Sequence, residues 1–320
     1  MRAGQLIRGY RITSEPTNSG GGRCMWAFAE RGRHEYFIKR FLDPKRPKPG
    51  ATASAAGVRL RLEVCEEFER RHRAMMERLP RDAPGGGNLV LALDFFLEGV
   101  TYYKVTERVH ALPLPRPQAL TAGEKAVLLR TLGLSVRLLH RIGVVHGDLK
   151  PGNVLVGRRR PGAFYTAKLI DFDDAYVSGS PPAREDITGD SVYAAPEWRR
   201  YVQGDAGMRP EWLTTKTDVF ALGLMTHVYL TGSLPGFDDR FGSPADAVLA
   251  GAELRVDDRL AEPMRALLSA MTSRTPMARP GMTIFLEMLK DSRMCELRSR
   301  SVTSPGSRVR ISMRTKENHS

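Results

Sequence analysis

The sequence predicts an α+β fold with a small strand-rich lobe followed by a larger helical lobe. Two observations carry this reading. Through about residue 110, short β-branched and aromatic runs alternate with Gly-rich and polar turns, and after a proline-rich stretch apolar residues recur mostly at helical spacing. Strands first and helices after are the pattern of segregated layers rather than of a parallel α/β sheet. The 320 residues suffice for one large two-lobed domain or two small ones, and for a substantial core.

In order, residues 10–12, 24–29 and 35–41 read as strands, the last two joined across Arg31-Gly32-Arg33 as a hairpin. Residues 17–22 form a Gly-rich turn, and 44–57 a loop rich in Pro, Gly, Ala and Lys. A helix is expected over 59–79, where Phe68, Met75, Met76 and Leu79 share a face. Pro84-Gly85-Gly86-Gly87-Asn88 breaks the chain before strands at 89–96 and 101–107. Pro113, Pro115 and Pro117 mark a linker. Beyond it, 124–142 is an amphipathic helix carrying Leu128, Leu132, Leu139 and Ile142. Residues 153–156 and 168–170 are a short strand pair about a turn at 158–162, and further helices fall at 217–229, 245–250, 262–271 and 282–290. The expected division is a first lobe over 1–110, a second over 111–290, and a basic, Ser/Arg-rich, disordered tail over 291–320.

The formal charge is +13, but the basic residues are spread along the chain and gather again only in the tail. That distribution reads as a solvated surface, and no helix-turn-helix, zinc-finger or RNA-binding signature points to a specific nucleic acid. Cys24, Cys65 and Cys295 are too few and scattered for a disulfide framework or a zinc site. The first eight residues hold no apolar run of signal-peptide length, and the best apolar run, 219–230, falls short of a bilayer span. A cytoplasmic location is expected.

The chemistry concentrates in His146-Gly147-Asp148-Leu149-Lys150-Pro151-Gly152-Asn153. Phosphoryl transfer needs a carboxylate to orient the attacking hydroxyl, a cation for the moving phosphoryl charge, and oxygen ligands for magnesium. Asp148 can be the base, Lys150 can reach the γ-phosphate, and Asn153 can offer an amide oxygen to Mg²⁺. Asp171, ending the apolar run Leu169-Ile170, supplies a second metal carboxylate at hairpin spacing from the loop. A turn with merely capping polar residues would not need this whole set in this order.

These motifs make the chain resemble the eukaryotic-type protein kinase family, found in bacteria as well as eukaryotes, over most of residues 10–290. Ala195-Pro196-Glu197 is similar to the family's Ala-Pro-Glu signature, Thr217 to Gly223 resembles the start of the buried central helix, and Arg279-Pro280 resembles the late Arg. The resemblance implies an ATP- and Mg²⁺-dependent kinase with a two-lobed kinase-like fold, acting on Ser/Thr hydroxyls of protein substrates. It also implies a buried Glu197–Arg279 pair. Lys39 stands where the family's nucleotide-anchoring Lys would be, seventeen residues after Gly22, in a glycine turn Gly20-Gly21-Gly22 that would approach the phosphates. Its implied helix partner is Glu69, with Glu66 next. Residues 105–109 would be the hinge, with adenine bonded to backbone near Glu107 and Val109 and Thr106 guarding the back pocket.

Five positions depart from the family pattern. The glycine turn lacks the G-x-G-x-x-G alternation. Phe37 replaces a small residue over the adenine, where it would crowd the base or stack on it. Gly147 replaces the Arg of His-Arg-Asp, which weakens control by a phosphorylated activation segment. Asp186 is then a fixed negative charge in that segment, although Ser178, Ser180, Thr188 and Ser191 leave autophosphorylation open. Asp173 replaces the Gly of Asp-Phe-Gly, restricting Asp171 and adding a charge that would contact metal or repel phosphate. Asp190 replaces a Thr that touches the catalytic base. Two other functions therefore stay open: a pseudokinase scaffold that binds nucleotide or partners without turnover, and a small-molecule phosphotransferase of the aminoglycoside or choline kinase type, whose signature also contains His146-Gly147-Asp148 and Asn153.

Overall fold

The computed structural model describes residues 1–20, 22–48, 50, 54–79, 88–110, 116–158, 160–187 and 189–298. Strands β1 (Leu6–Ile7), β2 (Tyr10–Ile12), β3 (Cys24–Arg31) and β4 (His34–Lys45) lead into helix α1 (Ala55–Arg78), and β5 (Ala92–Glu98) and β6 (Thr101–Glu107) follow. The six strands make one sheet in the order β1-β2-β3-β4-β6-β5, antiparallel at every pairing. Because β4 pairs with β6, Lys39 lies directly opposite Lys104. One side chain in two on each strand then faces α1 and the space beneath the sheet. Cys24, Phe41, Phe95 and Tyr102 close over Cys65 of α1, with Phe68 and Met76 packed against them.

Helix α1 starts at Ala55 rather than at 59, because Ser54 caps it by accepting a hydrogen bond from the Gly57 N–H at 3.2 Å. The strand expected from 89 starts at Ala92, because Leu89 and Val90 are drawn to the other lobe, where the Val90 N–H donates to Leu169 O at 2.9 Å.

The helical lobe begins with α2 (Ala122–Arg141), opened by a reciprocal capping box between Thr121 and Glu124. Strand β7 (Val144–Val145) pairs with β10 (Tyr176–Val177), and β8 (Val154–Gly157) with β9 (Thr166–Leu169). Helix α3 (Pro196–Val202) was missed by the periodicity reading, being too short to show a repeat. Helix α4 (Lys216–Thr231) is buried on nearly every face and ends at Gly232, whose φ of +92° gives the left-handed cap. Helices α5 (Pro244–Leu249), α6 (Glu262–Met271) and α7 (Met282–Met288) complete the lobe. Leu128, Leu132 and Leu139 of α2 share one core with Leu222, Met264, Leu268 and Phe285.

The expected boundary at 290 is too early. Cys295 is fully buried, Met294 and Leu297 pack on the core, and the Arg298 N–H donates to Arg259 O at 2.9 Å. Apolar content too sparse to read as a helix still covers one end of α2. Residues 299–320, and with them the rest of the expected tail, lie outside the described residues, as do Gly21, residues 84–87, Pro113, Pro115 and Thr188. The three cysteines are free and buried. Among the described residues no helix is long and apolar enough to cross a membrane.

Candidate active site

Between the sheet and the helical lobe lies a cavity of about 390 Å³. Trp26, Phe28 and Phe37 line its sheet side, Arg71, His72 and Met75 the α1 side, Thr106 to Val109 the strand exit, and Asn153, Asp171 and Asp173 the floor. Phe37 stacks on Trp26 with ring centroids 5.2 Å apart. The side chain expected to crowd or stack on a base is thus part of an aromatic roof. Trp26 also donates from Nε1 to Ser19 O at 2.9 Å, which ties the glycine turn to β3. Ser19 and Gly20 line the cavity, and Gly20 and Gly22 have φ of +66° and +54°, backbone that glycine adopts without strain. The indole anchor was not read from the sequence, since a lone Trp on a strand has no local signal.

The catalytic-type loop is held from behind by Asp218 at the start of α4. This buried carboxylate accepts from the His146 N–H at 2.9 Å, the Gly147 N–H at 3.2 Å and His140 Nε2 at 3.0 Å. His146 in turn donates from Nε2 to Ile170 O at 3.0 Å, which links the loop to the segment just after β9 that carries Asp171. Gly147 has φ of +80°, and a Cβ there would stand 2.4 Å from the Asp174 carbonyl oxygen. Glycine is therefore required by the backbone at the position where the family's Arg was expected. Gly147→Ala is expected to lower stability by about 1–3 kcal/mol and to displace Asp148, read as a lower thermal midpoint together with slower phosphotransfer.

Asp148 is fixed by three donors. Its Oδ1 accepts the Asp190 N–H at 2.8 Å, and its Oδ2 accepts Asn153 Nδ2 at 2.7 Å and Lys150 Nζ at 2.8 Å. Burial alone would lower the Lys150 pKa, and its hydrogen bond to Asp148 turns the shift upward. Asp190 meets Asp148 through its backbone, while its own Oδ1 accepts from the Val192 N–H at 2.7 Å and its Oδ2 lies 4.0 Å from Lys150. Asp148 lines a small separate cleft with Asp190 and Tyr193, next to the main cavity.

Lys39 and Asp171 come together across 132 positions of sequence: Lys39 Nζ donates to both Asp171 oxygens at 2.8 Å. The same nitrogen donates to Asp173 Oδ2 at 2.8 Å, and Lys104 bonds the other Asp173 oxygen. Burial would lower the Lys39 pKa, but the Asp173 and Asp171 carboxylates outweigh it and hold it above the usual lysine value. Burial and the neighbouring Asp173 charge push the Asp171 carboxyl up. Asp173 resists its own burial because Lys104 and Lys39 hold it well below the carboxylate range. Asp171 also has φ of +62°, unusual for a residue with a side chain and of the kind that concentrates at functional sites.

Glu69, expected to pair with Lys39, does not. It accepts from Tyr102 Oη at 2.7 Å and from Arg46 at 2.9 Å. The stripe Phe68, His72, Met75, Met76, Leu79 turns inward, and Glu69 falls at its edge. The inward polar residue is His72, whose Nδ1 faces Phe68 O at 2.9 Å. Its Nε2 is buried without a hydrogen bond, 3.8 Å from Asp173 Oδ1. Burial, then the Lys104 charge, pushes the His72 pKa down to about 4. The unfolded chain therefore binds a proton near 6.5 that the folded one refuses until about 4, so stability falls with pH across that window. His72→Phe is expected to flatten that acid slope, recovering up to about 3 kcal/mol near pH 4 relative to wild type in denaturant titrations.

Asp186 lies 3.9 Å from Arg71 of α1, so this acidic residue faces a helix cation. In the helical lobe, Arg279 grips Glu197 with two hydrogen bonds of 2.6 and 2.7 Å, both residues buried.

Comparison with known proteins fits this geometry. The protein kinase domain model matches residues 71–290, more than half the chain, and the chain belongs to the protein kinase family. The match begins within α1, so the strands bearing Lys39 precede it. Human MAP kinase-activated protein kinase 2 is 22% identical over 241 residues, covering 75% of this chain and 53% of that protein. Calcium-dependent protein kinase 16 of rice is 28% identical over 210 residues, 63% of this chain and 35% of that protein. Serine/threonine-protein kinases drp72 of Corynebacterium efficiens is 29% identical over 198 residues, 61% and 34% respectively. The chain thus spans about half or less of the length of these relatives.

The family uses ATP and Mg²⁺ in general, and the residues here fit that ion. Asn153 Nδ2 is taken up by Asp148 O and Oδ2, which leaves the amide oxygen as the ligand its side chain can offer beside Asp171. Among the described residues no group of three or more His, Cys, Asp or Glu could hold a metal. Such a site needs phosphate oxygens to fill it, as Mg²⁺ bound with a nucleotide commonly does.

Proposed function

We propose that the chain is an ATP- and Mg²⁺-dependent protein kinase that transfers the γ-phosphate to Ser/Thr hydroxyls of protein substrates. The single observation that carries this reading is the linked set Asp148, Lys150 and Asn153 beside Asp171 and Lys39. Asp148 would accept or orient the hydroxyl proton, at an oxygen already held by the Asp190 N–H. Lys150 would meet the transferring phosphoryl group, and Lys39 the other nucleotide phosphates. Asn153 and Asp171 would hold the magnesium ion, which draws charge from the phosphates. The aromatic roof of Trp26 and Phe37 would stack on adenine, with backbone near Glu107 and Val109 bonding its edge and Gly20 to Gly22 covering the phosphates. The buried Glu197–Arg279 pair supports a protein rather than a small-molecule acceptor. The free, separated cysteines accord with a reducing, cytoplasmic setting.

The pseudokinase reading has one observation in its favour: Lys39 occupies both oxygens of the carboxylate that the metal would need. Thermal unfolding with and without Mg-ATP, alongside transfer of labelled γ-phosphate to a generic protein and to an aminoglycoside or choline, separates the readings. The protein-kinase reading expects a raised midpoint and a labelled protein. A raised midpoint without labelling favours the scaffold, and labelling of the small molecule alone overturns the acceptor class.

A further inference from the structure

We propose that Asp173, held in place by Lys104, is the positioning carboxylate for Lys39, taking the part expected of an acidic residue on α1. This rests on the nucleotide-binding reading above. Three features of the cavity point to it.

First, Lys39 has two carboxylate partners, and they cannot serve alike. Asp171 is the carboxylate placed to bind metal, so a metal engaged there draws it away from Lys39. Asp173 Oδ2, at 2.8 Å, is the contact that remains. A long, flexible ammonium side chain stays aimed only while an acceptor holds it.

Second, α1 presents no acid where it meets this group. The α1 residues that line the cavity are Arg71, His72, Met75 and Met76, followed by Leu79 just past the helix end. The helix offers Asp173 the unprotonated side of His72, 3.8 Å away, while Glu69 is engaged by Arg46 and Tyr102.

Third, Asp173 has its own anchor. Lys39 and Lys104 are cross-strand neighbours on β4 and β6, so both ammonium groups descend side by side from one rigid ladder. Each bonds a different oxygen of Asp173. The four side chains balance in charge, two lysines against two aspartates, which makes burial of the set tolerable. A carboxylate clamped between two fixed lysines aims Lys39 from the sheet and the loop after β9. Alignment of Lys39 then does not depend on the position of α1.

The test uses the full chain and Mg-ADP as the titrated probe, with KM and kcat for ATP measured in parallel. Asp173→Asn is expected to weaken Mg-ADP binding and to raise the KM for ATP by about tenfold. Asp173→Glu should recover part of that loss, and Glu69→Gln should stay within about twofold of wild type. If Asp173→Asn does not fold, the double variant Lys104→Met/Asp173→Asn leaves no uncompensated buried charge from the pair and is read instead, with the same loss expected. Wild-type affinity in the Asp173 variant, or a loss in Glu69→Gln matching that of Asp173→Asn, overturns the proposal and leaves the kinase reading intact. A wild-type chain that binds no Mg-nucleotide overturns both.

Discussion

Asp148→Asn is expected to slow phosphotransfer by about 10²–10⁴-fold, the usual worth of a positioned base, while the chain folds and binds nucleotide as before. The substitution is nearly isosteric. An amide oxygen can still accept the Asp190 N–H now bonded to Asp148 Oδ1. What is lost is the ability to take a proton and the Oδ2 acceptor shared by Lys150 Nζ at 2.8 Å and Asn153 Nδ2 at 2.7 Å, while Asn153 keeps its bond to the backbone Asp148 O at 2.8 Å. Because Asp148 lines the small cleft beside Asp190 rather than the main cavity, Mg-ADP affinity should change by less than about threefold. A fall in kcat with little change in nucleotide binding is therefore the expected signature. A parallel collapse of binding would place Asp148 in the nucleotide pocket and contradict the site as described.

Arg279→Ala is expected to cost about 3–5 kcal/mol of stability, roughly 10 °C in thermal midpoint, because it leaves Glu197 charged and buried with no counter-ion. Arg279 does more than pair. It donates from Nε to Ser273 O at 2.9 Å and from a terminal nitrogen to Lys216 O at 2.8 Å, and it lies over the Phe220 ring at 5.1 Å. It thereby joins the start of α3, the start of α4 and the turn before α7. Arg279→Lys should recover little, since an ammonium cannot reproduce the two parallel bonds to Glu197. The pair Glu197→Leu/Arg279→Met should lose less than the two single changes together, because no lone charge remains.

The parts legible in the sequence were those written locally. Helix α6 was placed at its observed ends and strand β6 likewise, because each carries its periodicity within one short run. The loop from His146 to Asn153 stands out as a unit because its polar side chains are neighbours in sequence, and the structure places Asp148, Lys150 and Asn153 within direct hydrogen-bonding reach. The partner of Lys39 was not legible, because it is set by a pairing between residues 134 apart and by the cross-strand alignment of two lysines. Glu69 has the acidity for such a pair but lies off the helical phase of the inward stripe. His72 completes the inward stripe of Phe68, Met75, Met76 and Leu79, so the phase was available, but a histidine in an apolar stripe does not announce itself. The short α3 and the ordered residues past 290 had too few apolar positions to form a pattern, and tertiary packing decides them. Gly147 could be seen as a departure, yet its reason, the approach of the Asp174 carbonyl, exists only in three dimensions.

The most direct measurement is transfer of labelled γ-phosphate from Mg-ATP by the purified chain, to itself and to a generic protein acceptor, with Asp148→Ala run beside it and the labelled residues identified after hydrolysis. The account predicts phosphoserine or phosphothreonine from the wild type and a loss of label in the variant. Equal labelling in both, or none from a wild type that binds Mg-ATP, would contradict it.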